Sequence, residues 1–124
     1  MVFFIHGWSD YTGRQAHVAQ KFSKLGYEFY AMDQRGHGKS EGHLVEVPSV
    51  DEIADDTIEF QKKVMEMYND IDNPLKVCVI AHSMGCMQLF NILLREQVDK
   101  KKSFPRKLPI KYDSVCVVTP FLDI

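Results

Sequence analysis

A continuous apolar run at residues 75–81 constrains the fold of this chain more than any other feature. It reads Leu-Lys-Val-Cys-Val-Ile-Ala, with a single charged side chain. Strands of this composition are buried on both faces, which is typical of parallel sheets that helices cover on both sides. A helical spacing of apolar residues follows and continues from residue 83 to about residue 98. The run therefore predicts an inner strand of a parallel sheet that ends in a sharp turn into a helix.

The rest of the chain repeats this alternation of short apolar runs and longer periodic stretches. Strands are predicted over residues 2–5, 27–32, 75–81 and 114–118, and helices over residues 14–25, about 50–68 and 83–98. Ser49 and Glu52 form a capping box at the start of the second helix, because each side chain can bind the backbone N–H of the other residue. Strand–helix alternation favours parallel pairing through right-handed crossovers. The predicted fold class is α/β, a parallel doubly wound sheet of about four strands with helices on both faces.

Apolar spacing and the cysteines indicate the core. In the third predicted helix, the spacing predicts five residues that face inward: Met84, Met87, Phe90, Leu93 and Leu94. The three cysteines, at positions 78, 86 and 116, are odd in number and form no C-x-x-C pair. This pattern favours reduced, core-packed thiols over a disulfide framework.

Composition and charge exclude several classes of protein. The 124 residues are 45% hydrophobic and carry a formal net charge of -2, as in an ordinary soluble domain. A general nucleic-acid binder usually has a strong basic excess, so nucleic acid is not an expected partner. No apolar run approaches the roughly 20 residues that cross a bilayer, and the first residues lack the pattern of a signal peptide. We therefore expect an intracellular protein, cytoplasmic or peripheral to a membrane.

Residues 100–111 contain six basic side chains and no acidic one. Such a segment, which runs from Lys100 to Lys111, is attracted to anionic lipid surfaces. Peripheral membrane contact is therefore one interpretation, and an ordinary solvated loop is the other.

The predicted strand-to-helix turn at residues 81–85 carries the strongest chemical signal. It reads Ala-His-Ser-Met-Gly, close to the G-x-S-x-G pattern that places a serine on a strained turn at the carboxyl edge of a sheet. Small residues at 81 and 85 let helix and strand approach closely. The N–H of Met84 at the helix N-terminus can bind a developing oxyanion. The turn predicts a nucleophile at Ser83, and a serine that only caps the helix is the alternative.

Two further motifs follow the first and second predicted strands. His6-Gly7-Trp8 comes after the first, with Gly13-Arg14 shortly beyond, and Asp-x-x-Gly-His-Gly-x-Ser-x-Gly spans residues 33–42. With these motifs in this order and spacing, the sequence resembles the α/β-hydrolase superfamily, and within it the monoacylglycerol lipase, lysophospholipase and serine aminopeptidase-like group. The chain departs from that group's Gly-His-Ser-Met-Gly-Gly motif at both outer positions, residues 81 and 86. The resemblance extends over essentially the whole chain, as the central part of the fold.

The resemblance implies a serine hydrolase that cleaves carboxylic esters, of acylglycerol or lysophospholipid type, through an acyl-enzyme. Ser83 would be the nucleophile, and the main-chain N–H groups of Trp8 and Met84 would form the oxyanion hole. The resemblance implies no organic cofactor and no metal. Ten further residues would shape the loops around the site: His6, Gly7, Arg14, Asp33, Arg35, Gly36, His37, Gly38, His82 and Gly85.

No triad base follows the serine in these 124 residues. In this fold the order along the chain is serine, acid, histidine, yet all five histidines, at positions 6, 17, 37, 43 and 82, precede Ser83. Asp123 stands where a minority of these hydrolases carry the acid, and a loop or surface role is the alternative. We expect residues 1–124 to be an incomplete core without the cap region and the C-terminal acid and base. It would be a fragment of a longer chain, or a truncated product docked on a partner that covers its sheet edges.

The lack of a later histidine also supports a second functional hypothesis. A structural or assembly subunit could retain the hydrolase core without its activity.

Overall fold

The computed structural model describes residues 1–69, 75–99 and 110–121. Within them lie four strands, β1 (Val2–Ile5), β2 (Phe29–Ala31), β3 (Cys78–His82) and β4 (Ser114–Val118). The α-helices in these ranges are α1 (Ala16–Lys24), α2 (Val50–Glu66) and α3 (Met84–Asp99), and a 3₁₀ helix at Thr12–Gln15 precedes α1. The predicted order of strands and helices is confirmed.

The four strands form one parallel sheet in the order β2-β1-β3-β4. Val2 pairs with Phe29 of β2 and with Cys78 of β3, and Cys78 pairs with Ser114 of β4. Because all strands run the same way, their carboxyl ends meet at one edge of the sheet, where α/β proteins bind ligands. The three sequence motifs each follow a different strand, so the sheet brings them to this edge.

Helices cover both faces of the sheet, as predicted. On one face, the ring of Phe3 packs edge-on against Phe60 of α2, 6.1 Å between centroids, and shares a buried cluster with Leu89 of α3. Neighbouring residues of a strand point to opposite faces, so Val2 and its partner Phe29 face the other side. There Phe29 stacks on Phe22 of α1, with 5.7 Å between the rings. The α/β fold class is therefore confirmed.

Helix α2 begins at the predicted cap. The Ser49 hydroxyl accepts a hydrogen bond from the backbone N–H of Glu52 at 3.1 Å. The Glu52 carboxylate instead accepts a hydrogen bond from Arg35 at 2.9 Å and lies 3.5 Å from the Ser49 hydroxyl. The serine half of the predicted capping box is therefore observed, while Glu52 connects the helix to a loop.

Element boundaries differ from the sequence prediction. The predicted helix at 14–25 begins as a 3₁₀ turn, and β2 is shorter than predicted. Strand β3 starts at Cys78 because Val77 is bound elsewhere: its N–H donates to the Asp113 carboxylate and its carbonyl accepts from the Asp113 N–H, both at 2.8 Å. The strand continues to His82, one residue beyond the predicted end, because His82 still pairs with Val118 of β4.

One residue of α3 faces the opposite way from the prediction. Leu89 and Ile92 are fully buried, whereas Leu94 is 61% exposed. Each helical residue turns the chain by about 100°, so Leu94 lies about 200° around the helix from Ile92. The prediction that Leu94 faces the core is therefore wrong.

The three cysteines differ in how deeply they are buried. All three are free thiols, with Cys86 buried, Cys78 partly buried and Cys116 exposed. Cys116 belongs to β4, which pairs only with β3 in the part of the chain described and is exposed along its whole length. The prediction of a core-packed Cys116 is therefore wrong, because β4 lies at the edge of this sheet.

Two predicted features fall outside the described residues: most of the basic segment at 100–111, and Asp123. Contact of that segment with a membrane stays a prediction. Among the helices of the described ranges, none combines the length and the apolar character needed to cross a bilayer.

Candidate active site

Ser83 occupies the turn between β3 and α3 with a backbone φ of 53°. This left-handed conformation costs a residue with a side chain about 1–2 kcal/mol and persists where the surroundings fix it. The Ser83 N–H donates to the carbonyl of Val118 at 3.0 Å, and the Ser83 carbonyl accepts from the N–H of Cys86 at 2.9 Å. Strand β4 and helix α3 together hold the turn.

The hydroxyl of Ser83 makes no hydrogen bond with any residue in the described ranges. The N–H of Cys86 binds the backbone carbonyl of Ser83, rather than the side-chain oxygen that a helix cap would offer. Within these ranges the helix-cap interpretation is therefore not observed, and the hydroxyl is available to a molecule beside it.

Two glycines allow the serine turn and the loop after β1 to touch. A methyl group on Gly85 would lie 2.5 Å from the carbonyl oxygen of Ile5 and 2.8 Å from that of His6. A methyl group on Gly7 would lie 2.9 Å from the Cβ of Ser83. Real side chains do not approach so closely, so these positions require glycine as long as β1 and the serine turn keep their places.

His6 shapes the loop of residues 6–9, which we term the His-Gly loop. Burial lowers the pKa of His6 below its ordinary value of 6.5, which favours a neutral ring. Its Nδ1 then donates to the Gly7 carbonyl at 2.8 Å, while its Nε2 accepts from the N–H of Gln34 at 3.0 Å. The Gln34 side chain returns a hydrogen bond to the His6 carbonyl at 2.6 Å. The Nδ1 bond thus fixes the ring within its own loop, while Nε2 and the Gln34 side chain join the loops after β1 and β2.

The main-chain N–H groups of Trp8 and Met84 donate to no carbonyl within the described ranges. Trp8 exposes most of its side chain, and its indole N–H donates to the Val45 carbonyl at 2.9 Å. A cavity of about 370 Å³ lies here and is lined by both residues together with Val47, Ser83, Met87 and Phe121. The lining is mostly apolar, which suits a hydrocarbon group more than a charged one.

The loop of residues 33–42 is organised around the carboxylate of Asp33. It accepts hydrogen bonds from the N–H of Thr12 at 2.7 Å and of Lys39 at 2.9 Å. Burial alone would raise the pKa of Asp33, but these donors outweigh it and hold the pKa below its usual 3.8. A methyl group on Gly38 would overlap the same carboxylate, at 2.1 Å. Asp33 therefore stays ionised and ties this loop to the His-Gly side of the site.

Arg35 and Gly36 brace the same loop from the other side. The Arg35 guanidinium forms a two-point contact with Asp56 of α2, at 2.6 and 2.8 Å, and a third hydrogen bond with Glu52. The hydrogen bond with Asp56 raises the pKa of Arg35. The Gly36 carbonyl accepts from the N–H of Val45 at 2.8 Å. The contacts of Arg35 are with α2, so Arg35 supports the loop and makes no hydrogen bond with Ser83.

The remaining histidines among the predicted site residues make structural contacts. His37 is buried, and its Nδ1 lies 3.0 Å from the Arg35 carbonyl. The Nδ1 of His82 lies 3.9 Å from the Asp10 carboxylate. Neither ring hydrogen-bonds to Ser83, so no histidine of the described ranges is placed as its base.

Asp10 is a site residue that the sequence analysis missed. It is 6% exposed, and its carboxylate accepts hydrogen bonds from the N–H of Tyr11 at 2.9 Å and the side chain of Gln15 at 3.0 Å. Arg14 approaches it at 3.5 Å from a largely exposed position, and His82 lies on its other side. A single aspartate in a loop has no spacing that marks it, so no sequence signal was available.

The arrangement as a whole places Ser83, Trp8 and Met84 at one cavity, with Gly7 and Gly85 packed beneath it. The other predicted residues stabilise the surrounding loops. Within the described ranges, no cluster of three or more His, Cys, Asp or Glu side chains is arranged to hold a metal ion.

Comparison with known proteins places this geometry in context. The model of a family described as "Serine aminopeptidase, S33" matches residues 1–103. A monoacylglycerol lipase of Mycolicibacterium smegmatis is 38% identical over 85 residues, which are 68% of this chain and 29% of that protein. A monoglyceride lipase of Rattus norvegicus is 29% identical over 85 residues, again 68% of this chain and 27% of that protein.

Two solved structures share the fold. The monoacylglycerol lipase of Paleococcus ferrophilus superposes with a TM-score of 0.65 at 24% identity, over 96% of this chain and 38% of its own. A carboxyl esterase from Bacillus coagulans, in complex with glycerol, gives 0.64 at 23% identity, over 94% and 34%. This chain therefore spans between 27% and 38% of the length of these four proteins.

Proposed function

Because this chain belongs to the serine aminopeptidase family and carries part of an α/β-hydrolase fold, we propose that it forms the nucleophile half of a serine hydrolase that cleaves carboxylic esters. The observation that carries the proposal is the left-handed turn at Ser83, whose hydroxyl has no hydrogen-bond partner in the described ranges and faces a cavity. A strained, unpaired serine at a strand-to-helix turn is the geometry that nucleophilic attack requires.

The proposed reaction begins when a base removes the proton of Ser83 and the oxygen attacks the ester carbonyl carbon. The carbonyl oxygen becomes an oxyanion, which the N–H groups of Trp8 and Met84 stabilise. The tetrahedral intermediate collapses, the alcohol leaves with the proton that the base carried, and an acyl group remains on Ser83. Water then attacks the acyl group and releases the carboxylic acid, which restores the serine.

We propose that the acid and base of this mechanism come from outside the described residues. Both ring nitrogens of His6 are hydrogen-bonded, to Gly7 and Gln34, and the ring of His82 lies toward Asp10 with 3.9 Å between its Nδ1 and that carboxylate. No histidine follows Ser83 in the sequence. We therefore assign the base, the acid and the cap region to a further part of a longer chain or to a partner protein. The same segment would cover the open side of β4.

We propose a lipid-like ester as the substrate, of acylglycerol or lysophospholipid type. The cavity at Ser83 is lined by four large apolar side chains, Trp8, Met84, Met87 and Phe121, which favour an acyl chain over a polar group. The relatives named as monoacylglycerol and monoglyceride lipases act on esters of this class. The cavity supports a lipid-like ester in general, and the acylglycerol type rests on those relatives.

Labelling with a fluorophosphonate probe tests the nucleophile. In the complete protein, we expect the wild type and a Ser23→Ala control to be labelled, and Ser83→Ala to lose labelling. Ser23 is an exposed serine of α1 and serves as a matched control. Equal labelling of the wild type and Ser83→Ala would overturn Ser83 as the nucleophile, and no labelling of either would favour the non-catalytic subunit, which the lack of a later histidine supports.

A further inference from the structure

A second, much smaller cavity lies between the sheet and α2, away from Ser83. It measures about 10 Å³, close to the minimum of about 10–15 Å³ that a single water molecule needs. Its walls include the apolar side chains of Phe3 and Phe60 and three polar side chains, Gln34, Thr57 and Gln61. The volume excludes any larger ligand.

The polar side chains of this cavity have complementary free groups. The Oε1 of Gln34 and the Nε2 of Gln61 are buried and have no hydrogen-bond partner in the described ranges. Both residues are at least 97% buried. The Thr57 hydroxyl accepts a hydrogen bond from Gln88 at 2.8 Å, so its own proton remains available. One acceptor and two donors therefore border the cavity.

The other ends of both amides are fixed. The Nε2 of Gln34 donates to the His6 carbonyl at 2.6 Å, and a carbonyl can only accept, so Oε1 must be the free end. The Oε1 of Gln61 accepts from the Tyr112 hydroxyl at 2.5 Å. The Tyr112 hydroxyl is the donor in this contact. The free end of Gln61 is then its amino group.

We propose that one buried water molecule occupies this cavity and bridges Gln61 to Gln34. It accepts hydrogen bonds from the Gln61 amino group and the Thr57 hydroxyl, and it donates to the Gln34 carbonyl oxygen. Buried waters typically make about three hydrogen bonds to groups that would otherwise lack partners. A cation does not fit, because two of the three bordering groups are donors.

The bridged path extends from β4 to the proposed active site. It runs from Tyr112, just before β4, through Gln61 and the water to Gln34, and from there to both the ring and the carbonyl of His6. Gln34 and Gln61 are therefore positioning residues for the His-Gly loop. The water site does not depend on Ser83 being reactive, so its test and that of the proposed function give independent answers.

A crystal structure of the wild-type chain at a resolution that shows ordered waters is the direct test. We expect density within hydrogen-bond distance of Gln34, Thr57 and Gln61. A dry cavity, or a direct hydrogen bond between Gln34 and Gln61 that closes it, would overturn the proposal. This measurement needs no variant, so it stands even where a substitution prevents folding.

A pair of variants tests the assignment of each donor. Gln61→Met removes both the donor to the water and the acceptor of the Tyr112 hydroxyl, whereas Tyr112→Phe removes only the hydroxyl that donates to Gln61. We expect the water to be lost in Gln61→Met and kept in Tyr112→Phe, as seen by water–protein cross-relaxation in NMR. Loss in both variants, or retention in both, would contradict the assignment.

Amide hydrogen exchange tests the path itself. The backbone N–H of Gln34 binds the His6 ring, so loosening Gln34 exposes it. We expect its exchange to be about tenfold faster in Gln61→Met than in Tyr112→Phe. Equal rates in the two variants would show that the water does not hold the loop.

Discussion

Strands β1 and β4 belong to the same sheet, yet every residue of β1 is buried and every residue of β4 is exposed. Strand β1 has neighbours on both edges and both faces, and the loops at its carboxyl end are fixed by His6, Asp33 and the glycines. Strand β4 has a neighbour on one edge only, in the part of the chain described. The difference teaches that the described residues fix the proposed nucleophile and oxyanion side of the site on both sides, while β4 presents an open edge there.

The largest expected effect on stability comes from a side chain of β1, and a substitution in β4 serves as the comparison. Phe3→Ala removes a ring that is 1% exposed and packs against Tyr30 and Phe60, and we expect the free energy of unfolding to fall by about 3–5 kcal/mol. Val117→Ala, at a residue 41% exposed, should cost about 0.5 kcal/mol in the 124-residue chain. Urea unfolding measures both. Equal losses would remove the contrast between the two strands.

The same valine substitution in the complete protein sharpens the contrast. If a further segment covers β4, the cost of Val117→Ala should rise to about 2 kcal/mol, as for a buried side chain. A cost that stays the same in the longer protein would show that β4 remains open there.

A loss of stability smaller than that of Phe3→Ala is expected where the serine turn touches β1. Gly85→Ala places a methyl group against backbone atoms of Ile5 and His6 that cannot move independently, and we expect a loss of about 2–3 kcal/mol. Gly26→Ala is the control, since no atom lies within 4 Å of its added methyl group. It should cost about 1 kcal/mol, for the left-handed backbone alone. A Gly85→Ala chain as stable as Gly26→Ala would contradict the close approach.

The pH dependence of stability tests the buried His6. Its pKa is lowered in the folded chain, so between that pKa and 6.5 the unfolded state binds more protons. Stability must therefore rise with pH through this range and fall as the solution is acidified below pH 6.5. We expect urea unfolding to show a lower free energy of unfolding at pH 5 than at pH 7.5.

The variant for this prediction is His6→Gln, which cannot titrate. It should be less stable than the wild type at pH 7.5, because contacts with Gly7 and Gln34 change, but its stability should depend less on pH. A slope as steep as in the wild type would assign the pH dependence to other groups. Asp33 acts at lower pH, since its lowered pKa stabilises the fold above 3.8 and this contribution disappears as the pH falls further.

The smallest expected effect lies at the start of α2. Ser49→Ala removes the hydroxyl that accepts from the N–H of Glu52, and we expect a loss of about 1 kcal/mol. Ser23→Ala, at an exposed helical position, should change the stability by less than about 0.5 kcal/mol. If Ser49→Ala and Ser23→Ala change the stability equally, the hydrogen bond from the Glu52 N–H to Ser49 does not stabilise the fold.

The sequence predicted the fold because its local signals agree with one another. Apolar runs of strand length alternate with amphipathic helices, and Ser49 marks the start of one of them. The serine turn was predictable for the same reason, since the small residues at 81 and 85 have a purpose only where a helix and a strand meet closely. The family and the α/β fold follow from these motifs and are confirmed.

The features that the sequence could not predict depend on contacts between distant residues. The start of β3 is set by Asp113, which binds Val77 across 36 positions of chain. Asp10 becomes a site residue only because folding brings His82 to it. Gln61, on the buried face of α2, looks polar in the sequence and is 1% exposed in the structure. Such residues carry no periodic signal, because their surroundings are made by other elements.

The packing of Gly7 and Gly85 against their neighbours has a consequence for the order in which the molecule forms. The left-handed turn at Ser83 is held by Val118 from β4 and is confined by Ile5 of β1 and His6 of the His-Gly loop, which lie about 78 positions earlier in the chain. Local interactions within residues 78–90 would let Ser83 relax to an unstrained backbone. We therefore expect the left-handed turn at Ser83 to form only once β1, β3 and β4 have paired. A chain in which β1 or β4 detaches should lose this turn before it loses its helices.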